Sequence, residues 1–253
     1  MPGYLGQEGF GSYATILAFF SFFTAVTDLG LGSVTAREIS REHADEGKIL
    51  GNVIALRLFA SLLLLCAAPI LIFFFGYSVD IEVGIGIAAI ATVFATFSSV
   101  LNGIFQKHLA MDKIAMVEFL GKLFQVGLIV LIVKQDFGFI ALASTLVVSL
   151  SFNACMAFLL SRRYTAFRLH FDFAYWKGFL HQSLPMGATA IITFAYFKMD
   201  TILLSVLQSN AHVGIYNVAY KIMENLIFFP AMLAGLILPL LSRFIFTDRQ
   251  RFE

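Results

Sequence analysis

Seven stretches of this chain run apolar for about 20 residues or more, at roughly 12–35, 50–75, 82–105, 114–133, 138–160, 184–207 and 213–241. Most polar and charged residues fall in the short pieces between them. A helix rises about 1.5 Å per residue, so about 20 apolar residues cross a hydrocarbon core about 30 Å thick. Strands of a membrane barrel would be about half as long and would alternate apolar with polar positions. Uninterrupted runs of this length predict membrane helices, which satisfy their own backbone polar groups. The expected fold class is all-α, a multispanning membrane helix bundle with seven transmembrane helices.

Composition agrees. Hydrophobic residues are 59%, charged residues 13% and mean hydropathy is +0.86, against about 25% charged in a soluble domain. The longest connectors, 36–49 and 161–183, leave no room for a soluble catalytic domain.

The basic residues are sorted by side. Arg37, Arg41, Lys48, Lys107, Lys113, Arg162, Arg163, Arg168, Lys177, Arg243, Arg249 and Arg251 fall in connectors, or in a tail, on one side. The other side, made of residues 1–11, 76–81, 134–137 and 208–212, supplies Lys134 alone. The positive-inside bias puts the basic side in the cytoplasm, with the N-terminus outside and the C-terminus inside. Met1-Pro2-Gly3-Tyr4 carries no basic region of a signal peptide. Either the first span translocates its own N-terminus, or a helix precedes it.

Cys66 and Cys155 lie within spans and read as small buried hydrophobes, not as a disulfide or metal site. The histidines (His43, His108, His170, His181 and His212) sit in connectors or at span ends without ligand spacing. No P-loop, dinucleotide turn or nucleic-acid signature occurs, so neither a cofactor nor a nucleic acid partner is expected.

Ionisable residues inside spans cost about 2.5–3.5 kcal/mol each at the bilayer centre and mark functional sites by default. Asp28 lies near the cytoplasmic end of the first span, where it can cap a turn at Gly30–Gly32. Arg57 lies about 10 Å inside the second span. Glu118 and Lys122 are four apart on one helix face, in the favourable order for a pair. Lys198 and Asp200 point to different sides of their helix and need partners elsewhere. Lys221, Glu224 and Asn217 form a polar stripe about 13–18 Å from the outer end of the last span. The expected translocation cavity is lined by Arg57, Lys122, Lys198, Asp200, Lys221 and Glu224, with Asp28, Glu118 and Asn217 as secondary members. Structural salt bridges between helices would also explain these polar residues. Cations there suit an anionic substrate.

Other features describe packing. Pro69, Pro230 and Pro239 predict bends. Gly84, Gly86, Ala88 and Ala89 predict close helix contact. Phe167, Phe171, Phe173, Tyr175 and Trp176, among basic residues, predict a connector lying on the inner leaflet or linking two lobes.

Two short segments repeat. Gly11-Ser12-Tyr13 and Gly214-Ile215-Tyr216 each open a long span that ends in a basic exit, Ser40-Arg41 and Ser242-Arg243. The copies enter from the same side, as in a parallel repeat, and are expected to occupy equivalent positions. A helix precedes the second copy but not the first, and few spans follow the second, so the chain reads as a fragment.

The opening Leu5-Gly6-Gln7-Glu8-Gly9-Phe10-Gly11-Ser12-Tyr13, with Asp28-Leu29-Gly30-Leu31-Gly32 and Arg37-Glu38-Ile39, resembles the second helix of polysaccharide flippases. These form the lipid-linked oligosaccharide branch of the multidrug/oligosaccharidyl-lipid/polysaccharide exporter superfamily. Lys198-Met199-Asp200-Thr201-Ile202-Leu203-Leu204 and Val213-Gly214-Ile215-Tyr216-Asn217-Val218-Ala219-Tyr220-Lys221 are similar to that family's seventh and eighth helices. The resemblance implies two six-helix lobes around a central cavity with alternating access. Residues 1–161 would supply five spans of the first lobe, 162–183 a cytoplasmic connector, and 184–253 the first two helices of the second.

The function expected is a membrane transporter of the cytoplasmic membrane that flips an anionic lipid-linked oligosaccharide, not an enzyme. Its expected partners are membrane lipid and polysaccharide-assembly proteins. The alternatives are an ion-coupled drug or cation antiporter of the same superfamily, a membrane enzyme acting on isoprenoid-linked glycan, and a non-transporting scaffold. An antiporter favours acidic residues in its cavity, an enzyme needs acidic or metal-binding connectors or a large external loop, and a scaffold needs no polar residues at mid-depth.

Overall fold

A computed structural model describes residues 2–41, 44–165 and 168–247. His43, Phe167, Arg249 and Arg251 lie outside the described residues, as does the side chain of Arg243. Among the described residues every regular element is a helix: α1 Pro2–Asp28, α2 Leu31–Ile39, α3 Glu46–Phe73, α4 Val79–Lys107, α5 Met111–Gln135, α6 Gly138–Ser161, α7 Phe173–Leu207 and α8 Asn210–Thr247. Six of these, α1 and α3 to α7, are long and apolar enough to cross a membrane. The 38-residue α8 is a seventh long helix, though much of its second half lies outside the residues whose side chains are described. The protein is a multi-pass membrane protein.

The expected first span, 12–35, is two helices. α1 starts ten residues earlier than the pattern predicts and stops at Asp28. Leu29 (φ 40°) and Gly30 (φ 76°) then take left-handed backbone, which ends a right-handed helix and is natural only for the glycine. The Asp28 carboxylate accepts the Gly30 N–H at 3.2 Å, the cap expected of it. The glycine-rich opening reads as loop because glycine disfavours helix by about 1 kcal/mol per residue. Packing of α1 against α4, α7 and α8 overrides that preference.

α7 also starts early, at Phe173. Asp172 caps it by accepting the Tyr175 N–H at 3.1 Å, and the helix carries Pro185 within it. The connector therefore shrinks to 162–172. Asn52 Oδ1 accepts the Asp172 N–H at 3.0 Å and ties this segment to α3.

The basic connectors meet at one end of the bundle. Glu46 accepts from Lys107 Nζ at 2.6 Å and from Thr165 Oγ1 at 2.6 Å, joining the starts and ends of α3, α4 and α6. At the opposite, charge-poor end, Tyr4 donates to Asp136 Oδ1 at 2.6 Å and Tyr77 Oη lies 2.7 Å from Ser205 Oγ.

α4 runs through the middle, packed on α1, α3 and α6. Its small residues Gly84, Ala88 and Ala89 are buried as expected, but a methyl on Gly86 would meet nothing within 4 Å. Cys66 and Cys155 correct another expectation: both are exposed on the bundle surface and both are free. In a membrane the outside of the bundle is as apolar as its core, so hydrophobicity alone does not tell a packed position from a lipid-facing one.

Candidate functional site

Two of the cavities along α1 hold most of the predicted site residues. The first, about 660 Å³, opens among Thr24, Asp28, Ser33, Arg57, Asn102 and Gln106 toward the basic end. The second, about 460 Å³, lies toward the charge-poor end among Tyr13, Lys122, Lys198, Asn217, Lys221 and Glu224. Phe20 and Ser21 line both, so the two meet at this turn of α1.

In the first cavity Arg57 is 1% exposed. Its Nη2 donates to Asp28 Oδ1 and its Nη1 to the Thr96 carbonyl at 3.4 Å. Its Nε has no partner. Asp28 thus joins the cap of α1 to a buried cation of α3. Ser99, Asn102 and Gln106 add hydroxyl and amide groups. Sequence reasoning passed over these three. Their signal is spacing: Thr92, Thr96, Ser99, Asn102 and Gln106 recur every three or four residues down one face of α4.

The second cavity is built by the α7–α8 seam with one wall from α5. Glu224 bridges two lysines, accepting from Lys198 at 3.1 Å across the helices and from Lys221 at 2.9 Å on its own helix. Lys198 also stands 5.2 Å over the Tyr220 ring. Thr201 donates to Asn217 Oδ1 at 3.4 Å. With Lys122, the lining carries three lysines against one glutamate, a net positive field, although Lys122 and Lys221 are both exposed.

Two predicted members fall elsewhere. Asp200 lies off the cavity lining and accepts from Tyr216 on α8, so both Lys198 and Asp200 find their partners across the seam. The expected Glu118–Lys122 pair is not formed: Lys122 bonds Gln125 at 3.4 Å, and Glu118 is exposed on α5. Two flexible side chains four apart on an exposed face gain about 0.5 kcal/mol by pairing, too little to fix either one.

The fold and these cavities define a multi-pass membrane protein with a polar, cation-bearing interior. The model of the polysaccharide biosynthesis protein family matches residues 3–245, and the chain belongs to that family. It matches no curated protein and no solved structure.

Proposed function

We propose that the protein is a transporter that moves an anionic lipid-linked oligosaccharide across the cytoplasmic membrane, with its basic end in the cytoplasm. One observation carries the reading: in a member of a polysaccharide biosynthesis family, two polar cavities follow one another along α1, the second bearing three lysines and one glutamate. An anionic head group leaving the interface needs such charge compensation. The amides and hydroxyls of the first cavity offer sugar hydroxyls their hydrogen bonds, while the lipid tail stays in the bilayer. In this reading residues 1–161 and 184–253 belong to two lobes that rock to open the cavities to one side and then the other. Membrane lipid and polysaccharide-assembly proteins are its partners. A cation antiporter would carry the opposite charge balance in its cavity.

The test is genetic and chemical together. Deleting the gene is expected to trap lipid-linked glycan on the cytoplasmic leaflet and remove surface polysaccharide. Restoring the gene with Lys198→Ala and Lys221→Ala should leave most of that defect in place. Unchanged surface glycan with reduced drug or cation efflux would replace this reading with the antiporter.

A further inference from the structure

The repeated Gly-x-Tyr segments meet face to face. A methyl on Gly11 of α1 would overlap the Asn210 carbonyl and stand 2.9 Å from Gly214 N. A methyl on Gly214 of α8 would overlap the Gln7 carbonyl and stand 3.2 Å from Gly11 N. Asn210 is four residues before Gly214, and Gln7 is four before Gly11. Each glycine therefore takes the backbone of the preceding turn of the other helix, a locally two-fold crossing of two helices running in the same direction. Only hydrogen fits at either Cα.

The lysine-lined cavity lies immediately inward of this crossing. Its lining includes Tyr13, Ala14 and Leu17 on α1, and Asn217, Tyr220 and Lys221 on α8, within the next two turns of each. The crossing is made of backbone, without an ion pair between the two glycine segments among the described residues. α1 is also jointed at both ends. Gly6 (φ 67°, ψ −174°) interrupts it one turn before Gly11, and Leu29–Gly30 end it. At the far joint α1 is gripped by a different helix: a methyl on Gly187 of α7 would stand 2.7 Å from the Leu29 carbonyl. These joints set the helical rod from Gln7 to Asp28 apart from the backbone on either side of it.

We propose that the Gly11–Gly214 crossing is the outer seal of the lysine-lined cavity, and that α1 and α8 part there to open the cavity outward. This rests on the reading that the cavity lies on a transport path, but its test needs no glycan. In a background with Cys66→Ala and Cys155→Ala, Ala14→Cys reports from the cavity, where Ala14 is 7% exposed. A membrane-impermeant thiol reagent added outside should label the parent slowly. Gly11→Ala or Gly214→Ala, each a wedge in the crossing, should raise that rate at least tenfold, a population shift of about 1.4 kcal/mol. Gly86→Ala, whose methyl meets nothing within 4 Å, is the control and should leave the rate unchanged. The two wedges act from different helices, so one misfolded variant leaves the other to decide. Folded wedge variants that label no faster than the parent, or a parent that labels as fast as an exposed loop cysteine, would overturn the seal. Faster labelling supports it whatever becomes of surface glycan.

Discussion

Removing Asp28 should destabilise this protein more than removing Arg57, although the two form one ion pair. The Arg57 side chain is 1% exposed and that of Asp28 is 32% exposed, facing the first cavity. Asp28→Ala strands a guanidinium that cannot lose its proton. It keeps only the Thr96 carbonyl at 3.4 Å, and its Nε is already without a partner. Stranding a buried charge costs about 3–5 kcal/mol. Arg57→Met instead leaves a carboxylate that keeps the Gly30 N–H at 3.2 Å and faces a cavity of about 660 Å³, while the methionine fills most of the arginine's space. Discounted for exposure, that loss is about 1–2 kcal/mol. The difference of about 2 kcal/mol is about 30-fold in the unfolding equilibrium. Reversible unfolding of the single and double variants in detergent micelles measures it. The double variant should recover about 2 kcal/mol relative to the sum of the singles, since the stranded charge is gone. An Arg57→Met variant as unstable as Asp28→Ala, or additive costs in the double variant, would refute the reasoning.

Two further outcomes are expected. Gly84→Ala drives a methyl into the Ile16 side chain and should destabilise by about 1–3 kcal/mol, whereas Gly86→Ala meets open space and should be neutral or stabilising by up to about 1 kcal/mol. The same unfolding assay compares them, and equal effects would mean the α1–α4 contact is looser than described. Lys107→Cys, in a chain lacking Cys66 and Cys155, should resist an impermeant thiol reagent added outside intact cells. Labelling there would reverse the proposed orientation.

The span pattern was legible in the chain because lipid imposes a simple rule: about 20 apolar residues in a row must be a helix that satisfies its own backbone. The charges at depth were legible for the same reason, since each is costly enough to stand out. Sequence by itself therefore determined the fold class and the approximate spans, and it singled out Arg57, Lys122, Lys198, Asp200, Lys221 and Glu224 as candidates, of which Asp200 lies off the cavity lining. Family membership over residues 3–245 agrees with the resemblance read from the glycine-rich opening and the Lys198–Lys221 blocks. Tertiary structure decided which candidates meet. Glu224 joins Lys198 and Lys221 because α7 and α8 pack side by side, while Glu118 and Lys122 stay apart despite ideal spacing. It also decided where the first span breaks and where α7 begins, since caps at Asp28 and Asp172 and close backbone contacts outweigh weak local propensities. Position inside or outside the bundle was the least legible, as Cys66, Cys155 and Gly86 show. Hydropathy separates protein from water, and it has no power where the surrounding solvent is itself apolar.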